Sequence, residues 1–166
     1  TSYTISFGML LVASLMMIIL GFEVLESPIV VIVSTVIPFS LSLGLIVEHL
    51  ARYSIPYLIF VGIGFLAIIV TRYVTPIKAA TLVLALFHGV AGMVIFLLPI
   101  ILCVRGGAPA GFTLVGVGGA LIGLGGLLLS FLKAGTPILS RKTILTLFPA
   151  LLLLTTAFFV AGFALG

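Results

Sequence analysis

Six stretches of nearly unbroken apolar residues follow one another along the chain: Ile5–Leu25, Pro28–Leu50, Pro56–Tyr73, Pro76–Val104, Gly111–Leu132 and Thr143–Leu165. Runs such as Leu10–Leu20 and Ile144–Leu154 do not alternate polar with apolar positions. A membrane β-barrel must alternate, because one face of each strand lines the lumen. The pattern therefore predicts an all-α integral membrane protein, a bundle of about six transmembrane helices with short loops. A hydrocarbon core about 30 Å thick takes about 20 residues per crossing, so a single transmembrane domain over 1–166 uses nearly the whole chain.

Each connection contains a proline: Pro28, Pro56, Pro76, Pro109 and Pro137. Three of them read Ser27-Pro28-Ile29, Thr75-Pro76-Ile77 and Thr136-Pro137-Ile138. A hydroxyl residue before proline is a helix-start signature: the hydroxyl accepts from free amides of the first turn, and proline has no amide to leave unpaired. Pro38 and Pro99 fall inside the second and fourth spans and predict kinks there. The first span lacks a basic flank and runs longer than a signal-peptide core, so it reads as the first transmembrane helix.

Composition reinforces this reading. Hydrophobic residues make up 63 % of the chain and charged residues 6 %, and the mean hydropathy is +1.59. A soluble domain has roughly 45–50 % apolar and about 25 % charged residues. The net charge of +4 comes from ten charged side chains, which mark loop ends and form no basic patch for nucleic acid. The first, third and fifth loops carry Arg72, Lys78, Lys133, Arg141 and Lys142, against Arg52 and Arg105 on the other side. The positive-inside rule then puts both termini outside the cytoplasm. Short loops and the lack of targeting signals point to a multi-pass protein of a prokaryotic plasma membrane. Arg52-Tyr53 and Arg72-Tyr73 bracket the third span as interfacial anchors.

Candidate chemistry is sparse. Cys103 is the one cysteine, which leaves no internal disulfide, redox pair or thiolate cluster. His88 lies about twelve residues into the fourth span, near the predicted midplane, where an ionisable side chain is a functional-site hypothesis by default. It suits an axial haem ligand, a quinone hydrogen-bond donor or a proton-relay element, and its bland alternative is a neutral histidine bonded to a neighbouring helix or partner subunit. His49 lies nine residues further along its own span, about 13 Å in depth, too far to ligate the opposite face of one haem. Any haem would thus be shared with a partner, and no cofactor is expected within the chain itself. Glu48 and Arg52 have the i, i+4 spacing of an interfacial ion pair. Glu23 and Glu26 sit where the first span leaves the membrane; they suit pairing with Lys78 or Arg141, and the alternative is the start of a proton path or a cation site.

The fifth span is rich in glycine. Gly119 and Gly123 form a GxxxG pair, and Gly116 and Gly126 extend the small face. Such a stripe permits close helix packing, or a groove for a lipid tail, quinone or carotenoid at a helix interface. A phosphate loop is excluded by the absence of a following lysine.

These features point to a small accessory or assembly subunit of a larger membrane complex, of respiratory or other electron-transfer type, with the bilayer and other integral membrane subunits as partners. A small transporter or channel of unknown substrate is the alternative, and a lipid-modifying enzyme ranks last. Catalysis by the chain alone is not expected.

Overall fold

The computed structural model describes residues 2–21, 28–74, 76–133 and 138–166. They form six α-helices with no strand among the described residues: α1 Ser2–Leu20, α2 Pro28–His49, α3 Ser54–Val74, α4 Ile77–Val104, α5 Thr113–Lys133 and α6 Arg141–Ala164. Five stretches are long and apolar enough to cross a membrane: Ile29–His49, Ala51–Val74, Ala79–Val104, Ala110–Leu128 and Arg141–Ala164. In α1 the described apolar stretch, Ser2–Val12, is shorter.

Helix ends follow local chemistry. α1 stops at Leu20, short of the expected Leu25, where Gly21 takes φ +75°, the left-handed conformation that glycine adopts without penalty at a helix C-terminus. α4 ends in a Schellman motif: Gly106 has φ +71°, its amide donates to the Cys103 carbonyl at 3.0 Å, and the Gly107 amide donates to Leu102 at 2.8 Å. Pro28 opens α2, and the Pro76 carbonyl accepts from Ala79 at 3.0 Å at the start of α4. The third expected start is displaced. α6 begins at Arg141, and its cap is Ser140, whose hydroxyl accepts from the Thr143 amide at 3.1 Å. Ser27, Thr75, Thr136 and Pro137 lie outside the described residues, as do Glu23 and Glu26.

The helices gather into two compact units, residues 1–91 and 92–166, and α4 gives its first half to one and its second half to the other. In the first unit α1 lies along α2, and α2 also packs against α3. The core holds Phe39, Ile68 and Ala91, all buried, with Ile32, Val61, Phe65 and Phe87 packed around them. Gly64 lets the Phe87 ring come down onto α3, since a Cβ there would overlap Phe87 Cδ1. In the middle of this unit the buried Ser6 hydroxyl of α1 donates to the Ile37 carbonyl of α2 at 3.1 Å. That carbonyl sits next to Pro38, within the turn where proline removes a backbone donor.

In the second unit α5 is pressed between α6 and the second half of α4. A Cβ on Gly116 would come within 2.7 Å of the Phe96 carbonyl oxygen, and one on Gly119 within 3.0 Å of Ile95 Cγ2. On the α6 side, Gly118 accommodates Phe159, Gly125 accommodates Leu151, and Gly162 of α6 faces the Val115 amide, 2.6 Å from where its own Cβ would be. Phe112 and Phe163 close one end edge to face, 5.9 Å between centroids. Gly123 and Gly126 belong to the same predicted small face, yet both have open space around them.

This asymmetry sets a test. Gly116→Ala forces its methyl against backbone and should destabilise the protein by about 1–3 kcal/mol. Gly123→Ala meets no neighbour and should leave stability unchanged or raise it by about 0.5–1 kcal/mol through helix propensity. Thermal unfolding in detergent, followed by far-ultraviolet circular dichroism, separates the two. Equal melting temperatures for both variants would contradict the packing described.

Candidate functional site

His88 stands on α4, eleven residues beyond Ile77 and sixteen before Val104, so it is deep within an apolar helix. The side chain is exposed, as are the neighbouring Ala85, Gly89 and Val90, and Gly89 has nothing within 4 Å of where a Cβ would stand. No hydrogen bond links His88 to another described residue. A neutral imidazole carries one donor and one acceptor, and neither finds a hydrogen-bond partner among the described residues.

The polar groups that do come together lie at the opposite end of the first unit from Arg72 and Tyr73. Tyr3 of α1 donates its hydroxyl to a Glu48 carboxylate oxygen of α2 at 2.7 Å. Gly44, one turn before Glu48, makes this possible: the Tyr3 ring lies flat where a Cβ on Gly44 would overlap Tyr3 Cε1. The i, i+4 pairing expected between Glu48 and Arg52 requires unbroken helix. Instead α2 ends at His49, Leu50 turns out with φ −135° and ψ 51°, and Arg52 belongs to the 3-10 turn Ala51–Tyr53 that leads into α3. Arg52 and Tyr53 are exposed, and His49 is half-buried at the last position of α2.

Several hydroxyls inside the helices are spent locally. Thr35 donates to the Val31 carbonyl at 2.8 Å, Ser40 to Val36 at 2.6 Å, and Ser42 to Pro38 at 2.6 Å. Each uses a carbonyl of its own helix one turn back. Thr71 and Thr156 do the same, on Ala67 and Leu152. The Tyr57 hydroxyl of α3 and the Thr155 hydroxyl of α6 are buried without a hydrogen-bond partner among the described residues, and so is Nε of Arg72. Cys103 directs its thiol to the Pro109 carbonyl at 3.0 Å. Among the described residues, no three of His, Cys, Asp and Glu gather closely enough to hold a metal ion.

Of the glycines expected to form one packing face, Gly116 and Gly119 meet α4, while Gly123 and Gly126 remain open. The residues that sequence reasoning passed over are Tyr3, Ser6, Gly44 and Tyr57. Ser6 and Tyr3 precede or open an apolar run and carry no local signal of a partner more than thirty residues away.

No family model matches the chain, and no curated protein or solved structure matches it either.

Tyr3→Phe removes the bond to Glu48 while keeping the ring on Gly44. Because the bond is exposed, a loss of about 0.5–1 kcal/mol is expected rather than the larger figure for a buried charged acceptor. Gly44→Leu displaces the whole ring and should cost more. Chemical unfolding of the two variants in the same detergent measures both, and a Gly44→Leu protein as stable as wild type would refute the ring placement.

Proposed function

We propose that this chain is a multi-pass membrane protein acting as an accessory or assembly subunit of a larger membrane complex. The observation that carries this reading is the outward-facing His88. An ionisable residue within an apolar span is costly in lipid, on the order of a few kcal/mol, unless a polar partner receives it. Its own chain offers none among the described residues. The small, open residues beside it, Ala85 and Gly89, leave room for a neighbouring helix to approach closely. A subunit that meets His88 with a carboxylate, a backbone carbonyl or a cofactor edge removes that cost.

The alternative, a transporter of polar solutes, needs a lined pathway. The hydroxyls that would line one, Thr35, Ser40 and Ser42, are already committed to their own backbone carbonyls. An electron-transfer setting for the complex rests on His88 alone, as a haem ligand or quinone donor supplied to a partner.

Mild detergent extraction from native membranes, native electrophoresis and mass spectrometry of the resolved band test the reading. The chain is expected to migrate in fixed stoichiometry with other integral membrane proteins, and His88→Leu to reduce that association at least about tenfold. A visible absorption spectrum of the same band reports whether the complex holds haem. Recovery of the chain by itself, with His88→Leu indistinguishable from wild type, would overturn the proposal.

A further inference from the structure

The first unit carries a cleft of about 310 Å³ between α1, α2 and α3, walled by Ile5 of α1, Val36, Phe39 and Leu43 of α2, and Leu58 and Phe65 of α3. Its one polar residue, Ser40, already donates its hydroxyl to the Val36 carbonyl at 2.6 Å, so the walls offer nothing to a polar ligand. Gly62 also lines the cleft and has no atom within 4 Å of where a Cβ would stand. On both walls the lining spans eight residues, Val36 to Leu43 and Leu58 to Phe65, about 10 Å along the helix axis.

The dimensions decide what can lie there. Spread over that length, 310 Å³ is a slot of roughly 30 Å² in section, too narrow to admit a helix about 10–12 Å across. A single hydrocarbon chain, thin and flexible, fills such a slot along its length. The cleft also stops short of a charged end. Leu43 lies six residues before His49, and Leu58 six residues after Arg52, so the 3-10 turn Ala51–Tyr53 that joins the two walls sits about 9 Å beyond the lining. Glu48, the nearby carboxylate, is engaged by Tyr3. Arg52 is exposed and makes no ion pair with a described residue. A guanidinium in that position offers paired donors to a phosphate.

We propose that the cleft between α1, α2 and α3 holds one acyl chain of an anionic phospholipid whose phosphate is met by Arg52. The proposal rests on the chain being embedded in a bilayer, and the lipid acts as a fixed wedge among the three helices.

The test uses the full chain reconstituted into vesicles of equal parts phosphatidylglycerol and phosphatidylcholine. Recovery with the vesicles after an alkaline wash comes first, and loss of the protein into the wash would overturn both this proposal and the membrane reading. Retained protein is then transferred to mild detergent and its bound lipid counted by native mass spectrometry. One phosphatidylglycerol per chain is expected. Gly62→Leu, which fills open space in the cleft and should fold with unchanged helicity, is expected to lower retention at least about tenfold. Arg52→Gln should keep a lipid but lose the preference for phosphatidylglycerol by about fivefold or more. Membrane-embedded protein that retains no lipid, or retention unaffected by Gly62→Leu, overturns the cleft proposal alone. Retention of an isoprenoid quinone from native membranes in place of phospholipid overturns the identity of the occupant.

Discussion

Every helix among the described residues depends on backbone amides closing onto carbonyls one turn back, because the side chains supply so few alternative partners. Helix is the one local structure that satisfies a peptide group without help from side chains or water. The cost shows at the three helix-interior prolines, Pro38, Pro99 and Pro149, each of which withdraws a donor from its ladder. Around Pro38 the hydroxyls of Thr35, Ser40 and Ser42 turn back onto nearby carbonyls, and Ser6 reaches across from α1 to the carbonyl of Ile37. The polar residues of α2 thereby maintain the helix and leave little for a solute.

With side chains this uniform, specificity comes from shape. Flat aliphatic surfaces pack in many registers, whereas a glycine opposite a ring or a carbonyl permits one. Gly44 under Tyr3, Gly64 under Phe87, Gly118 under Phe159 and Gly162 over the Val115 amide each fix such a register. These contacts alternate between the faces of α5: Gly116 and Gly119 turn toward α4, and Gly118 and Gly125 toward α6. The glycine content of α5 thus reflects a helix gripped from two directions more than a single seam.

The proposed role follows from an ionisable group that this economy leaves exposed midway along an apolar helix. Tyr3 and Glu48 satisfy each other at a helix end, and Thr35, Ser40 and Ser42 use carbonyls of their own helix, but His88 is exposed midway along α4. Under the proposed bilayer setting its partner must come from elsewhere, which is why a neighbouring subunit is a better account of the residue than chemistry conducted within the chain.

The sequence by itself determined the all-helical class and the number of helices, five of them long and apolar enough to cross a membrane, because non-alternating apolar runs of about 20 residues admit little else, and it located most helix ends to within a few residues through proline and glycine chemistry. It also singled out His88, since a lone imidazole within an apolar run is conspicuous without any structure. Tertiary structure decided the rest. Whether Gly116 or Gly123 touches a neighbour depends on where α4 and α6 cross α5, and a stripe of small residues reads the same whether covered or open. The partner of Glu48 proved to be forty-five residues away in α1, because α2 ends at His49 and the turn at Leu50 breaks the helical spacing to Arg52. The cleft beside Ser40 and Gly62 has no sequence signature at all, being the space left where three apolar surfaces of unequal relief meet.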